Sequence, residues 1–470
     1  MTDPRYLPAP RTPELGDEFF DVVEPARFPR HTLRFRNQRW AERLGLGALG
    51  DDQWVDHFAR FRPLPDNLPR PLALRYHGHQ FGSYNPHLGD GRGFLFAQLS
   101  DPVDGRLLDL ATKGSGKTPW SRTADGRLTL KGGVREILAT EMLEALGVYT
   151  SKSFSLVETG EALVRGDEPS PTRSSVLVRL SHSHVRFGTF QRLAYQGDVG
   201  ALSRLCDFTL ANYFPELSDG AGPARLFEEI CRRSATLCAS WMAAGFVHGV
   251  LNTDNMNVTG ESFDYGPWRF LPHLDPSFTA AYFDDSRLYA YGRQPAIVRW
   301  NLERLAEALA PLVPRPQSDR ALVELEARYL AERSARFLAR LGIEQRGAVP
   351  DLLLSGQLDC FLERSRIPFD RFFFDWYGGE RASERALAGP HGAAYAAEDF
   401  SSLRALFAGR LPTRPEALAD AYFQGAGPTT MQIEEVERVW SAIAERDDWG
   451  PLDEKIAEVR ALGALYGVAM

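Results

Sequence analysis

The residues best suited to chemistry fall in two separated stretches. In the second half, VHGVLNTDNMNV (247–258) is followed by FDYG (263–266), and together they supply Asp254, Asn255 and Asp264. Two carboxylates and an amide oxygen are hard donors that suit Mg2+ or Mn2+ bridging phosphate oxygens. In the first half, Gly89-Asp90-Gly91-Arg92-Gly93 directly precedes a strand-like run. Glycines there let backbone amides approach phosphate without a side chain in the way. Lys113 and then Glu136 follow. A lysine of this kind holds nucleotide phosphates, and a glutamate on a following helix holds the lysine by an ion pair.

The order of these parts is that of a protein kinase: glycine loop, strand, strand lysine, helix glutamate, then a catalytic loop and an Asp-x-Gly triplet. Here the triplet is Asp264-Tyr265-Gly266, with Tyr in place of Phe. With Asn255 as the metal-binding Asn, the kinase catalytic Asp falls at position 250, which is Val250. The ordinary kinase pattern therefore reads as a pseudokinase. Asp254 stands beside Asn255 and is the alternative proton acceptor; its competing role is capping of the loop.

Two other patterns point elsewhere and are set aside. Ala111 to Thr118 (ATKGSGKT) satisfies a relaxed P-loop pattern, but Pro119 follows at once and Asp125-Gly126 makes a turn. That leaves no room for the helix whose amides a P-loop needs. The His77/His79 and His182/His184 pairs lack Cys or carboxylate partners at ligand spacing, so structural roles are expected. His248 is expected to brace the catalytic loop by hydrogen bonding.

These side chains require particular elements to hold them. FLFAQL (94–99), RLLDLATK (106–113) and SSVLVRL (174–180) read as strands, with Asp104-Gly105 as a turn. In GGVREILATEMLEALG, Leu138, Met142 and Leu146 recur every four residues and Gly147 supplies a stop, which predicts a helix carrying Glu136. From about 198 onward the pattern is mostly helical. The expected fold is α+β, a protein-kinase-like two-lobe arrangement. Residues 1–75 form an N-terminal extension packed on the core, 76–195 a small β-rich N-lobe, and 196–470 a larger helical C-lobe ending in a helical extension.

Bulk properties narrow the partners. The 470 residues are 44% hydrophobic and 25% charged, with net charge −8, so no chain-wide basic surface for nucleic acid is expected. No apolar run approaches membrane-span length and the N-terminus lacks a secretory pattern, so a cytoplasmic, monomeric protein is expected. Four cysteines are too sparse for a disulfide framework.

YHGHQFGSYNPHLGDGRG, ATKGSGKTPWSRTADGR, VREILATEM, LVRLSHSHVRFGTFQ and FVHGVLNTDNMNVTGESFDYGP, in that order, resemble the selenoprotein O family of protein adenylyltransferases. The resemblance runs from about Tyr76 through the helical half. It implies a kinase fold that binds ATP in a flipped orientation and transfers AMP to Ser, Thr or Tyr hydroxyls of proteins. Gly89, Gly91, Arg92, Lys113, Asp125 and Gly126 match its nucleotide-contacting positions, and Arg179 and Arg186 match two further phosphate-binding arginines. Asn255 and Asp264 match its metal ligands, Asp254 its proposed base, and Glu136 the lysine's partner. The flip itself is implied by the resemblance alone. One departure concerns redox control: the chain ends Gly467-Val468-Ala469-Met470 with no thiol, and Ala280 stands where bacterial relatives often have a partner Cys. An intramolecular disulfide switch is therefore not expected. Beside adenylylation stand a kinase-like phosphotransferase and a non-catalytic ATP-binding scaffold, with UTP as a competing donor.

Overall fold

The computed structural model describes residues 3–468 apart from Asp167, Ser218 and Asp219, so the last two residues of the thiol-free tail lie outside the described residues. The chain is a mixed α+β protein with an antiparallel sheet. The eight-stranded sheet runs Phe20–Val22, Leu72–Leu74, Leu95–Ser100, Leu107–Lys113, Thr172–Ser181, Lys152–Leu163, Thr32–Arg36, and the short Leu128–Thr129 strand also pairs with Thr172–Ser181. Its central strands are covered on both faces, and their side chains alternate between two cores. Leu95, Leu156 and Leu177 face the large core that includes the helix Leu130–Ala145. Phe94, Phe96, Phe154, Val176 and Val178 face an aromatic layer with Trp54, Phe58 and Phe61.

Residues 1–75, read from sequence as an extension, supply both ends of this strand order and much of that aromatic layer. Trp54 and Phe58 are fully buried on the helix Asp51–Phe58. Each such side chain contributes about 2–3 kcal/mol relative to an exposed one.

The helix Leu130–Ala145 begins at Thr129, whose hydroxyl accepts the Gly132 amide, and stops before Gly147 at φ +75°. Its residues Val134 to Ala145 are buried apart from Arg135. It therefore holds Glu136 in a fixed position under the sheet.

Beyond Phe187 the regular elements of the described chain are helices, apart from a ribbon pairing Phe246–Val247 with Arg269–Phe270. That ribbon brackets the segment carrying Asp254, Asn255 and Asp264. The long helix Pro223–Ala244 ends at Gly245, in the left-handed region at φ +67°, and delivers the chain into the ribbon. Among the described residues no helix is long and apolar enough to cross a membrane. No turn of helix follows Lys117-Thr118, which removes the P-loop reading.

Candidate active site

Lys113 is the last residue of its strand, and Arg179 lies on the neighbouring strand opposite Ala111, so sheet pairing brings the two cations onto one surface. The helix beneath presents Glu136, whose Oε2 accepts from Lys113 Nζ at 2.6 Å, with both side chains almost fully buried. Glu136 Oε1 also meets Arg179 Nη1 at 3.3 Å.

Asp264 closes the cluster from the helical half. Its Oδ1 lies 2.8 Å from Lys113 Nζ and 3.2 Å from Arg179 Nη1, and its Oδ2 lies 3.7 Å from Arg186 Nη1. Burial alone would raise its pKa, but Lys113, Arg179, Arg186 and Arg92 hold it well below the usual carboxylate range. Its backbone is left-handed at φ +62°, a strained conformation that asparagine and aspartate tolerate better than most residues. The Tyr265 that replaces Phe in the triplet is buried, and its hydroxyl pairs with Thr150 Oγ1 at 2.5 Å. A polar tip is thus accommodated by a specific partner.

Arg186 is sandwiched between Tyr76 and Phe263, with its guanidinium carbon 4.4 Å and 4.8 Å from the two ring centroids. It donates to the Asp254 carbonyl at 2.9 Å and to Asp90 Oδ1 at 3.3 Å. This links the glycine loop to the catalytic loop. Asp254 is 8% exposed, and burial, opposed by Arg186, pushes its pKa up to about 6. Its Oδ1 is buried with no protein partner. Asn255 commits its amide nitrogen to the Val250 carbonyl at 2.9 Å, which leaves its amide oxygen as the donor atom for a cation.

The glycine loop packs against the 114–121 segment. The carbonyls of Asp90, Gly91 and Arg92 accept from Thr118 Oγ1, Ser121 Oγ and the Gly114 amide. Among the described residues the amides of Gly91, Arg92 and Gly93 have no protein acceptor. A side chain at Gly89 would collide with the Trp120 ring, so close packing also requires that glycine. Asp125 and Gly126 stand apart. Asp125 forms a two-bond pair with Arg165 at 2.8 and 3.1 Å, and Gly126, at φ +72°, accepts the Gly116 amide. Neither has a contact with the Lys113–Asp264 cluster among those described.

The oxygen-only donors Asp264, Asn255 and the unpartnered Asp254 Oδ1 fit a hard divalent cation. Arg179 Nε and Arg186 Nε are also buried without acceptors. The histidine pairs are structural: His77 Nδ1 meets Tyr84 Oη at 2.8 Å, His79 meets Gln191 at 2.9 Å, His182 meets Tyr149 at 2.6 Å and His184 meets Asp109 at 3.2 Å. Among the described residues no group of three or more His, Cys, Asp or Glu is placed to hold a metal. His248 Nε2 meets the Phe263 carbonyl at 3.2 Å, joining the two halves of the catalytic segment.

Tyr76, Asp90 and Phe263 are the residues at this site that sequence reasoning missed. Aromatic rings flanking a motif carry no spacing signal. Their role emerges only when Arg186 is seen between them.

The family model described as protein adenylyltransferase SelO matches residues 6–460. A relative in Synechocystis sp., named protein nucleotidyltransferase YdiU, is 45% identical over 484 residues, covering 98% of this chain and all of the relative. A relative of the same name in Gloeobacter violaceus is 45% identical over 472 residues, covering 96% and 94%. Another in Alkalilimnicola ehrlichii is 38% identical over 460 residues, covering 93% and 90%. The chain belongs to the SelO family of protein adenylyltransferases.

Proposed function

We propose that this enzyme is a protein adenylyltransferase with a kinase-like core, transferring AMP from ATP to Ser, Thr or Tyr hydroxyls of other proteins and releasing pyrophosphate. The observation that carries the reading is the convergence of Lys113, Arg179 and Arg186 on Asp264, beside a buried carboxylate, Asp254, with a free oxygen. In this reading residues 76–195 act as the N-lobe and 196–470 as the C-lobe, with 1–75 completing the sheet. The protein works as a cytoplasmic monomer.

Asp264 and Asn255 would hold Mg2+ or Mn2+, which when bound neutralises phosphate charge. The chain's own groups do the rest. Lys113, fixed by Glu136, and the two arginines bind the polyphosphate, with the amides of Gly91 to Gly93 as further donors. Asp254 accepts the proton of the acceptor hydroxyl. The hydroxyl oxygen forms a bond to the α-phosphorus, and the bond from that phosphorus to the β-bridging oxygen breaks, with its electron pair leaving on pyrophosphate. Asp125 and Gly126 would contact the nucleotide at the edge of the site, where the 114–127 segment turns.

Incubating the protein and a lysate with ATP labelled at the α- or the γ-phosphate tests this reading. Label on protein from the α-position alone is expected. Label from the γ-position alone would make the enzyme a kinase, and tight ATP binding with neither label would make it a scaffold. Competition by UTP in the same assay reports donor preference.

A further inference from the structure

We propose that Phe81, together with Tyr282 and Phe283, forms a platform that receives an apolar side chain of the acceptor protein close to its reacting hydroxyl. This rests on the reading of Asp254 as the base that accepts the hydroxyl proton.

The hairpin pairs Gly78–Gln80 with Ser83–Asn85, with Gln80 opposite Ser83, so Phe81 and Gly82 alone make the turn. Both have positive φ, +49° and +79°. Turns of this type favour Asn-Gly or Gly-Gly, and a bulky residue at positive φ is strained. Burial does not explain the phenylalanine, because the residue is 42% exposed. One edge of the ring meets buried Tyr289 at 5.0 Å, but turn chemistry does not call for an aromatic there and the rest of the ring stays open, which marks it as a candidate for function.

The hairpin is anchored on the catalytic loop. The Phe81 amide lies 3.3 Å from Asn252 Oδ1 and 3.1 Å from Tyr289 Oη, and the His79 amide donates to Thr253 Oγ1 at 2.7 Å. A Cβ on Gly78 would sit 3.2 Å from the Asp254 Cβ, so the strand passes directly over the base. The Phe81 ring lies 6.0 Å from that of Phe283, and Tyr282 lies 5.1 Å from Phe283. Phe283 is 47% exposed and Tyr282 78%. The three aromatics thus make an exposed apolar patch continuous with the loop that carries the base.

That continuity selects the occupant. For a hydroxyl on a folded or extended protein to reach Asp254, the residues flanking it must lie along the walls beside the base. The wall offered here is aromatic. An apolar side chain of the acceptor is the chemistry that gains from it. A second copy of this chain is the competing occupant, and the experiment separates the two.

The test uses the full-length enzyme, α-labelled ATP and a degenerate library of Ser-, Thr- and Tyr-containing peptides. Wild type is expected to select Leu, Ile, Val or Phe at a constant offset from the modified hydroxyl. Phe81→Gly should still fold, because glycine adopts the positive φ freely and this offsets the lost contact with Tyr289. It should raise KM for the selected peptides by about tenfold, as for loss of one aromatic anchor. Its ATP affinity and its rate on peptides with Ala at that offset should match wild type. Phe283→Ala should repeat the pattern. An absence of apolar selection, unchanged KM in both variants, or equal loss on every peptide together with weaker ATP binding would each overturn the platform. So would concentration-dependent dimerisation that Phe81→Gly abolishes. If wild type α-labels lysate proteins but no peptide, the platform falls alone; if it α-labels neither, the adenylylation reading falls and this inference with it.

Discussion

Asp264 is the residue on which the electrostatics of the site turns. Lys113, Arg179 and Arg186 are nearly buried and face this one carboxylate together, with Glu136 as the second counter-ion for two of them. Asp264→Ala is expected to abolish measurable AMP transfer, since the proposed metal ligand is lost, and to lower stability by about 2 kcal/mol because buried cations lose a partner. Labelled-ATP assays and urea titration check the two halves separately; retained full activity would rule out the metal assignment. Glu261 supplies a pH signature outside the cation cluster. It is buried, accepts the His182 amide at 2.9 Å, and burial pushes its pKa up to about 8 from an ordinary 4.5. A raised carboxylate pKa favours the folded state fully below 4.5, and that contribution is lost as pH rises through about 8. Glu261→Gln keeps an amide oxygen as acceptor and removes the titration. The variant is expected to lose less stability than wild type between pH 6 and 9, by on the order of 3 kcal/mol. Parallel urea curves across that range would show the gap, and identical slopes would discard the assignment.

At the scale of elements, the helix Leu130–Ala145 connects packing to chemistry. One side of it presents Glu136 to Lys113. Elsewhere it is held by the C-terminal helices Ile433–Arg446 and Gly450–Leu465. Arg460 makes a two-bond pair with Glu141 at 2.7 and 2.8 Å, and Lys131 meets Glu437 at 2.8 Å. The Glu141 side chain is only 3% exposed, so Arg460→Ala leaves a buried charge without its partner. The expected loss is about 2–3 kcal/mol, and adding Glu141→Gln should restore part of it. Thermal or urea unfolding of the two singles and the double measures the coupling. Strand existence in FLFAQL, RLLDLATK and SSVLVRL was legible because β-rich runs sit between turn residues, and the observed strands lie within two residues of those bounds. The strand Lys152–Leu163 was not read, since KSFSLVETGEAL mixes polar and apolar residues and ends in a register-shifted partnership. Thr32–Arg36 escaped for the same reason: three of its five residues are charged or polar, and only pairing with Lys152–Leu163 makes it a strand.

Over the whole molecule, only one of the four thiols faces solvent. Cys206, Cys231 and Cys238 are buried with thiol pKa values pushed up by desolvation, whereas Cys360 is exposed, and all four are free. Ala280 is buried close to Gly249 and offers no thiol. Native protein is expected to take up one equivalent of a thiol reagent, at Cys360, and Cys360→Ser none. Transfer activity should be the same with and without reductant. Mass spectrometry of labelled peptides reads the first outcome, and a mapped intramolecular disulfide with reductant-dependent activity would contradict the second.

The sequence by itself determined the cast and its order. Gly89 to Gly93, Lys113, Glu136, Asp254, Asn255 and Asp264 are identifiable because glycine turns, a strand-end lysine and a loop of oxygen donors each leave a local imprint of spacing and residue type. The tertiary structure alone decided how they meet. That Lys113, Arg179 and Arg186 share one carboxylate follows from sheet pairing and from a loop more than eighty residues beyond Arg179 in the chain. That Arg186 lies between Tyr76 and Phe263, and that a hairpin tipped by Phe81 passes over Asp254, are likewise facts of packing. Contacts between distant segments depend on how the two cores close around the sheet, and no local pattern records that closure.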